Sequence, residues 1–195
     1  VGDRVFVNNV SLGLYGSIVS SPEYRDAKVD TALSTLPKVL GPGSEPFDLR
    51  FTGPDGRRRE RAHLIQISNN PYGGGSDIGR RPRLDTGQLA IITLQIEGDR
   101  SAAAFLAAVA GGRPDRFSGF SSWTATTFEV DSGDEVAAGL DGESITLPAP
   151  LRFSIRPQAL LLLLPAEAAA RNASNAPRVT LKDVGRIAAG RPVVR

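Results

Sequence analysis

Two carboxylates flank a glycine in the run Asp141-Gly142-Glu143, which lies between two β-prone segments. Asp-Gly is a strong signal for a two-residue hairpin turn, and such a turn would carry Glu143 to an edge of a sheet. At an edge, a carboxylate can act as a general base and take the proton from a hydroxyl within hydrogen-bond reach. The residues alone leave both interpretations open, a structural hairpin and a catalytic base.

A second motif, Asp85-Thr86-Gly87, comes just before a β-prone run. It is either an Asx-type turn or part of a site for a hard cation, because Mg²⁺ and Ca²⁺ accept a carboxylate together with backbone carbonyl oxygens. Upstream, the three glycines at 73–75 could turn the chain or cradle an anion with their amides. Since no lysine follows them, they match neither a P-loop nor a dinucleotide-binding fingerprint.

The chain has one histidine, His63, and neither cysteine nor methionine. Disulfide scaffolds, thiolate metal sites, multi-histidine metal sites and cysteine nucleophiles are therefore excluded. A Ser-His-Asp triad would depend on His63 alone, and no suitable serine and aspartate surround it. We interpret His63 as a hydrogen-bonded structural residue in a strand. Trp123 and the phenylalanines at 117, 120 and 128 fit either a core or a groove for an apolar ligand.

Composition narrows the class of protein. The chain has 195 residues, is 41% hydrophobic and carries a formal net charge of +2. This charge is too small to indicate a nucleic-acid partner. The longest apolar run, at 159–164, is too short to span a bilayer, and no signal peptide is visible. Because the sequence opens without an initiator methionine, we expect it to be a piece of a longer chain.

The pattern of the elements predicts a mainly β protein, an antiparallel β-sandwich with two short helices. The sandwich would span residues 1–165, and residues 166–195, which are poor in large apolar side chains, would form a flexible tail. One helix is predicted at 20–40 and the other at 101–110. Gly53-Pro54-Asp55-Gly56 indicates a hairpin turn. The strands are predicted at 5–10, 46–52, 58–68, 88–96, 117–130, 135–147 and 151–164.

Four segments, taken in order, resemble the C-terminal half of bacterial diacylglycerol kinase-type lipid kinases, in the wider group of sphingosine kinases and NAD kinases. They are FVNNVSLGLYGSIV from Phe6, ISNNPYGGG from Ile67, RPRLDTGQLAII from Arg81 and LDGE from Leu140. The resemblance implies a β-sandwich lobe behind a nucleotide-binding α/β lobe.

The same resemblance implies roles for individual residues. Glu143 would be the general base on a lipid hydroxyl. A structural Mg²⁺ would be held by the Asp85 carboxylate and the backbone carbonyls of Arg83 and Gln88. The sequence departs from the family here, because the family has an aspartate directly before the glycine, where this chain has Thr86.

The family's ATP-binding motif, Gly-Gly-Asp-Gly-Thr, does not occur in this chain. We therefore expect an N-terminal lobe that binds ATP and Mg²⁺, and we expect this fragment alone to be inactive. The resemblance implies ATP-dependent phosphorylation of diacylglycerol or a similar lipid alcohol, with a sphingoid base or a polyprenol as other candidates. It implies a cytoplasmic protein in peripheral contact with the inner face of the membrane. The alternative is a non-catalytic β-sandwich that binds a lipid or a partner.

Overall fold

Ten strands and one α-helix make up the part of the chain that the computed structural model describes, residues 1–14, 44–73 and 81–160. The helix predicted at 20–40, the tail at 166–195 and most of the leucine run at 159–164 lie outside these residues. The elements are β1 (Asn9–Gly13), β2 (Phe51–Thr52), β3 (Arg58–Arg59), β4 (Leu64–Asn69), β5 (Leu89–Leu94), α1 (Asp99–Ala110), a 3₁₀ turn (Pro114–Arg116), β6 (Phe120–Ala125), β7 (Thr127–Val130), β8 (Val136–Leu140), β9 (Glu143–Leu147) and β10 (Leu151–Ser154).

Six of the strands form one antiparallel sheet in the order β6-β5-β4-β1-β8-β9. One row of paired residues crosses it and ends at Glu143 on the edge strand β9. The strands β1 and β5 are covered on both faces, which for β5 explains a nearly continuous apolar sequence. The edge strand β9 is largely exposed.

A second layer packs on one face of this sheet. It contains the ribbon β7–β10 and the small hairpin β2–β3, which are linked by the bridge between Arg50 and Asp131. Phe51, Phe128 and Phe153 project from this layer and meet Ile67 and Ile91 of the large sheet in a common core. The predicted antiparallel β-sandwich is therefore confirmed.

Two predicted strands are each divided, because the chain changes layer within them. In the run 58–68, Ala62 is the last residue that pairs with the smaller layer, through Phe47, and Leu64 is the first that pairs with β1 of the large sheet. The run 117–130 divides at Thr126, where β6 leaves β5 and β7 joins β10. In both runs the chain passes from one sheet to the other at a single residue. This passage needs neither glycine nor proline, so the sequence contains no signal for it.

Two further strand predictions are wrong at their ends. The first strand begins at Asn9 rather than at residue 5, and Phe6 packs into the core while its neighbours face outward. The last strand ends at Ser154, and Leu160 is 55% exposed instead of buried. Alternation and apolar runs predict burial, but neither reports where hydrogen bonding to a neighbouring strand stops.

The alanine-rich helix predicted at 101–110 is confirmed as α1. Its Phe105 packs with Leu94, Ile96 and Leu14 in a second cluster at the end of the sheet where β1 and β5 finish. We call this the helix end. No helix within the described residues is long and apolar enough to cross a membrane.

Asp48 fastens the small hairpin to the loop after β7. Its carboxylate accepts hydrogen bonds from the Arg50 guanidinium at 2.7 and 2.8 Å and from the Gly133 amide at 2.8 Å. The bond from Arg50, followed by the bond from Gly133, lowers the pKa of the Asp48 carboxyl. Such a carboxyl stabilises the fold above its unfolded pKa of about 3.9, and that stabilisation is lost as the pH falls through the lower folded value.

We therefore expect Asp48→Asn to lower the free energy of unfolding at pH 7 by a small amount, because the site is exposed to solvent. The difference from the unchanged protein should begin to shrink below about pH 4, where the carboxyl of the unfolded chain becomes protonated, and it should disappear below the lowered pKa of the folded state. Urea denaturation at pH 7, 5 and 3, followed by Trp123 fluorescence, measures it. Asp134→Asn is the control, since Asp134 is an exposed residue in the loop after β7, which Asp48 binds. An equal loss at pH 3 and pH 7 would contradict the prediction.

Candidate functional site

The predicted site residues lie at one end of the large sheet, opposite the helix end. At this end β1, β5 and β9 begin and β4, β6 and β8 finish. We call it the hairpin end, after the β8–β9 turn. It carries Glu143, the segment before β1 and the loop before β5.

The turn Asp141-Gly142 joins β8 to β9 as the sequence predicts. Leu140 pairs with Glu143, which leaves a two-residue loop. Asp141 has φ 49° and Gly142 has φ 95°, the two positive angles that a type I′ turn requires. Aspartate tolerates this conformation better than most residues, and glycine adopts it without steric cost.

The Asp141 carboxylate binds the segment before β1. One oxygen accepts the amide of Val7 at 2.7 Å, and the other accepts the amides of Asn8 and Asn9 at 2.8 and 2.9 Å. The Asp141 amide in turn donates to the Asn9 carbonyl at 2.9 Å. Three donated bonds occupy this carboxylate, so Asp141 fixes the backbone beside Glu143.

Glu143 presents the other carboxylate of the motif. It is the first residue of β9 and is exposed. Within the described residues, no hydrogen bond or ion pair engages its carboxylate. The motif therefore holds one carboxylate that serves the fold and one that is accessible to a ligand.

Asn70 anchors the loop before β5, a role that the sequence analysis missed. Its side chain is 3% exposed, and its Oδ1 accepts both the amide and the hydroxyl of Thr86, at 2.8 and 2.7 Å. Its Nδ2 donates to the Leu84 carbonyl at 3.0 Å, and its amide donates to the Gln88 carbonyl at 3.1 Å. The available signal was Asn69-Asn70-Pro71, since asparagine favours the positive φ of 71° found at Asn70.

The predicted metal ligands lie in this same loop. The Asp85 carboxylate accepts two hydrogen bonds from the Arg83 guanidinium, at 2.9 and 3.2 Å, and these bonds lower the pKa of Asp85. The Gln88 carbonyl accepts the Asn70 amide. The described residues contain no group of three acidic or histidine side chains that could hold a metal.

This arrangement does not offer a cation an open set of ligands, because Asp85 would first have to leave Arg83. Thr86, which stands where the family has aspartate, donates its hydroxyl to Asn70. The Mg²⁺ site at Arg83, Asp85 and Gln88 stays a prediction.

Tyr72 and Arg81 connect the loop to β1. The Arg81 guanidinium donates to the Tyr72 hydroxyl at 2.7 Å and to the Asn8 carbonyl at 3.1 Å, and it lies 4.4 Å from the centre of the Tyr72 ring. The hydroxyl also accepts the side-chain amide of Asn9 at 3.4 Å. These contacts join the same β1 segment that Asp141 holds.

His63 has the structural role that its sequence context predicts. It is fully buried, its Nδ1 accepts the Ile96 amide at 3.1 Å, and its Nε2 lies 3.2 Å from the Ser44 carbonyl. Trp123 and Phe128 belong to the core, and they also line a cleft of about 530 Å³ with Phe153. The core role is therefore confirmed, and the groove for an apolar ligand stays a prediction, since Glu129 and Arg152 also line the cleft.

A family model described as the YegS C-terminal NAD kinase β-sandwich-like domain matches residues 23–164. The chain belongs to this family. The match covers most of the sequence, including the loop before β5 and the β8–β9 hairpin. The resemblance to the C-terminal half of this group of proteins is thereby confirmed, and the domain is the C-terminal, β-sandwich-like one of the YegS family. No curated protein matches the sequence.

Two solved structures are similar to this YegS-type chain. One, described as "a putative diacylglycerol kinase from Bacillus anthracis str. Sterne", is 21% identical with a TM-score of 0.51, and the match covers 78% of this chain and 50% of that one. A second structure with that description is 22% identical, with a TM-score of 0.47 and coverage of 76% and 48%. This YegS-type chain thus spans about half the length of the solved structures that it matches.

Proposed function

We propose that this domain is the substrate-side lobe of an ATP-dependent lipid kinase, and that Glu143 is its general base. The accessible Glu143 carboxylate at the hairpin end carries the proposal, together with membership of a kinase-like family. The substrate would be diacylglycerol or a similar lipid alcohol. ATP and Mg²⁺ would be bound by the other lobe of the complete protein.

The chemistry requires a carboxylate without an internal partner. An alcohol is a poor nucleophile until its proton is removed, and a carboxylate within hydrogen-bond reach can accept that proton as phosphoryl transfer proceeds. Glu143 meets this requirement, whereas three backbone amides occupy Asp141. The oxygen of the alcohol then forms a bond to the γ-phosphorus of ATP, and the bond to the ADP oxygen breaks.

The remaining residues of the site would position Glu143. Asp141 holds the turn from which β9 begins, and Tyr72 and Arg81 hold the segment that Asp141 binds. These contacts limit the movement of the strand end that carries the base. A reacting group held in one geometry lowers the entropic cost of reaching the transition state.

Transfer of labelled phosphate from ATP to diacylglycerol in mixed micelles, with the complete protein, tests the proposed activity. We expect a phosphorylated lipid and an equal amount of ADP. Omission of the lipid is the control for ATP hydrolysis alone. If none of the three alcohols (diacylglycerol, a sphingoid base or a polyprenol) is phosphorylated, the proposal is contradicted.

The second candidate is a non-catalytic module that binds a lipid or a partner. The cleft beside Trp123, Phe128 and Phe153 favours it. It predicts saturable lipid binding without ATP consumption in the same assay. Contact with the membrane would be peripheral in both cases, since the substrate or ligand resides in a bilayer.

A further inference from the structure

The cleft of about 530 Å³ lies where the edge strand β6 meets the hairpin β2–β3 and the ribbon β7–β10. Its floor is aromatic. Trp123 of β6 is half-buried there, and its ring lies 5.7 Å from that of Phe128, edge to face. The volume is typical of sites that hold small molecules, so the chemistry of the lining decides which class of molecule fits.

The rim of this cleft is polar. Thr52, Thr127 and Ser154 are exposed and contribute to its lining, and among the described residues no hydrogen bond engages their hydroxyls. Glu129 and Arg152 pair across β7 and β10, and the Arg152 Nε donates to the Glu129 Oε2 at 2.8 Å. The second carboxylate oxygen, Oε1, accepts no hydrogen bond within the described part of the chain. Donors and acceptors are therefore available above an apolar floor.

The charges of the rim favour a neutral ligand. The Arg152 guanidinium and the Glu129 carboxylate compensate each other, so neither an anion nor a cation would meet an unbalanced charge. A purely apolar ligand would cover the hydroxyls and the ion pair without replacing their hydrogen bonds to water, which is costly. A neutral molecule with an apolar face and several hydroxyls matches both the floor and the rim.

We propose that this cleft binds a neutral polyhydroxylated ring, a hexose or a cyclitol. The C–H bonds on the face of such a ring would lie against Trp123, whose indole offers a large apolar surface. The hydroxyls at its edge would bond to the ion pair, because a carboxylate accepts a hydrogen bond from one hydroxyl while a guanidinium donates to its neighbour.

This site is separate from the proposed catalytic one. Trp123 and Glu143 are the two ends of the row of paired residues that crosses the large sheet. Strands lie about 4.8 Å apart, which puts the two residues about 24 Å from each other along the six-stranded sheet. A ring in the cleft is therefore not the alcohol that Glu143 would deprotonate, and the inference does not depend on the proposed function.

Saturation-transfer NMR with the complete protein tests the site. The free probes are the methyl glycosides of glucose, galactose and mannose, together with myo-inositol. We expect saturable transfer to at least one of them. Glu129→Ala should weaken its binding by about tenfold or more, the effect of losing a hydrogen bond to a charged group. Asp115→Ala is the matched control, since it also removes an exposed carboxylate paired with an arginine, Arg113, and it lies outside the cleft.

The same ring could be a free sugar or the headgroup of a glycolipid. Co-sedimentation with phosphatidylcholine vesicles, with and without glucosyl or galactosyl diacylglycerol, distinguishes these sources. Binding that requires the glycolipid and is lost in Glu129→Ala assigns the ring to a headgroup, whereas binding of the free probes alone assigns it to a soluble sugar. Either result supports the proposal.

Three results would overturn the proposal. One is the absence of saturable binding to any of the free probes and to the glycolipid vesicles. Another is equal binding by Glu129→Ala and Asp115→Ala, which would place the sugar elsewhere. The third is binding of oleate and of none of the sugars, which would assign the cleft to an apolar chain. No arm contains ATP, so a protein that bound the ring but phosphorylated no lipid would keep this inference and contradict the proposed function.

Discussion

Glu143→Gln in the complete protein is expected to lower kcat for lipid phosphorylation by a factor of about 10² to 10⁴, the range that a general base contributes. Glutamine keeps the size of the side chain and removes its ability to accept a proton. Because Glu143 is exposed and lacks a hydrogen-bond partner among the described residues, the substitution should leave the fold unchanged. Steady-state kinetics and a melting curve for each variant measure the two effects separately.

Glu135→Gln is the matched control for this substitution. Glu135 is also exposed and lies at the other end of the β8–β9 hairpin, next to Val136. The Glu135→Gln variant loses the same charge from the same hairpin, and its kcat should stay close to that of the unchanged protein. A Glu143→Gln variant that keeps a near-normal kcat would contradict the assignment of the base. A fall in melting temperature confined to Glu143→Gln would show a structural role instead.

Asn70→Ala is expected to lower the free energy of unfolding by about 3 kcal/mol, because buried groups lose their partners. The amide of Thr86 and the carbonyl of Leu84 would both be left without the asparagine side chain. Alanine would also have to adopt the positive φ of 71°. This conformation costs alanine about 1 kcal/mol more free energy than it costs glycine. Urea denaturation followed by Trp123 fluorescence measures the loss.

Asn70→Gly separates the two contributions. Glycine removes the same hydrogen bonds but adopts the positive φ freely, so it should recover about 1 kcal/mol relative to alanine. Equal stability of the two variants would show that the relief of backbone strain is no larger than the extra conformational entropy that glycine loses on folding. A loss below about 0.5 kcal/mol in both, the level of an ordinary surface substitution, would contradict the role of Asn70 as the anchor of the loop.

The layer architecture and the β8–β9 hairpin could be predicted from the sequence, because both follow from local patterns. Alternating apolar residues identify strands, and Asp141-Gly142 identifies a two-residue turn. The change of sheet at Thr126 could not be predicted, since it depends on which strand offers partners on each side of that residue.

The sequence identifies the carboxylates of the candidate site, but it identifies neither the hydrogen bonds that connect them to other segments nor the role of Asn70. The sequence shows Asp141 and Glu143 in one motif. The structural role of Asp141, in contrast to the accessible carboxylate of Glu143, depends on hydrogen bonds from three amides of residues 7–9, which are far away in the chain. Similarly, Asn70 and Thr86 are separated by 16 residues. Hydrogen bonds between distant segments produce no periodic pattern in the sequence, so only the structure reveals them.

The hydrogen bonds from the segment before β1 to Asp141 determine which residue of the Asp141-Gly142-Glu143 motif can indicate kinase activity. Asp141 and Gly142 are required by the turn and by that segment whether or not the protein catalyses a reaction. Under the proposed function, a descendant that had lost kinase activity would still be under selection to keep Asp-Gly, and only the glutamate would be free to change. If Glu143 is the base that we propose, the third residue of the motif is the informative one in genome surveys of such domains, and a substituted glutamate after an intact Asp-Gly would predict a pseudokinase.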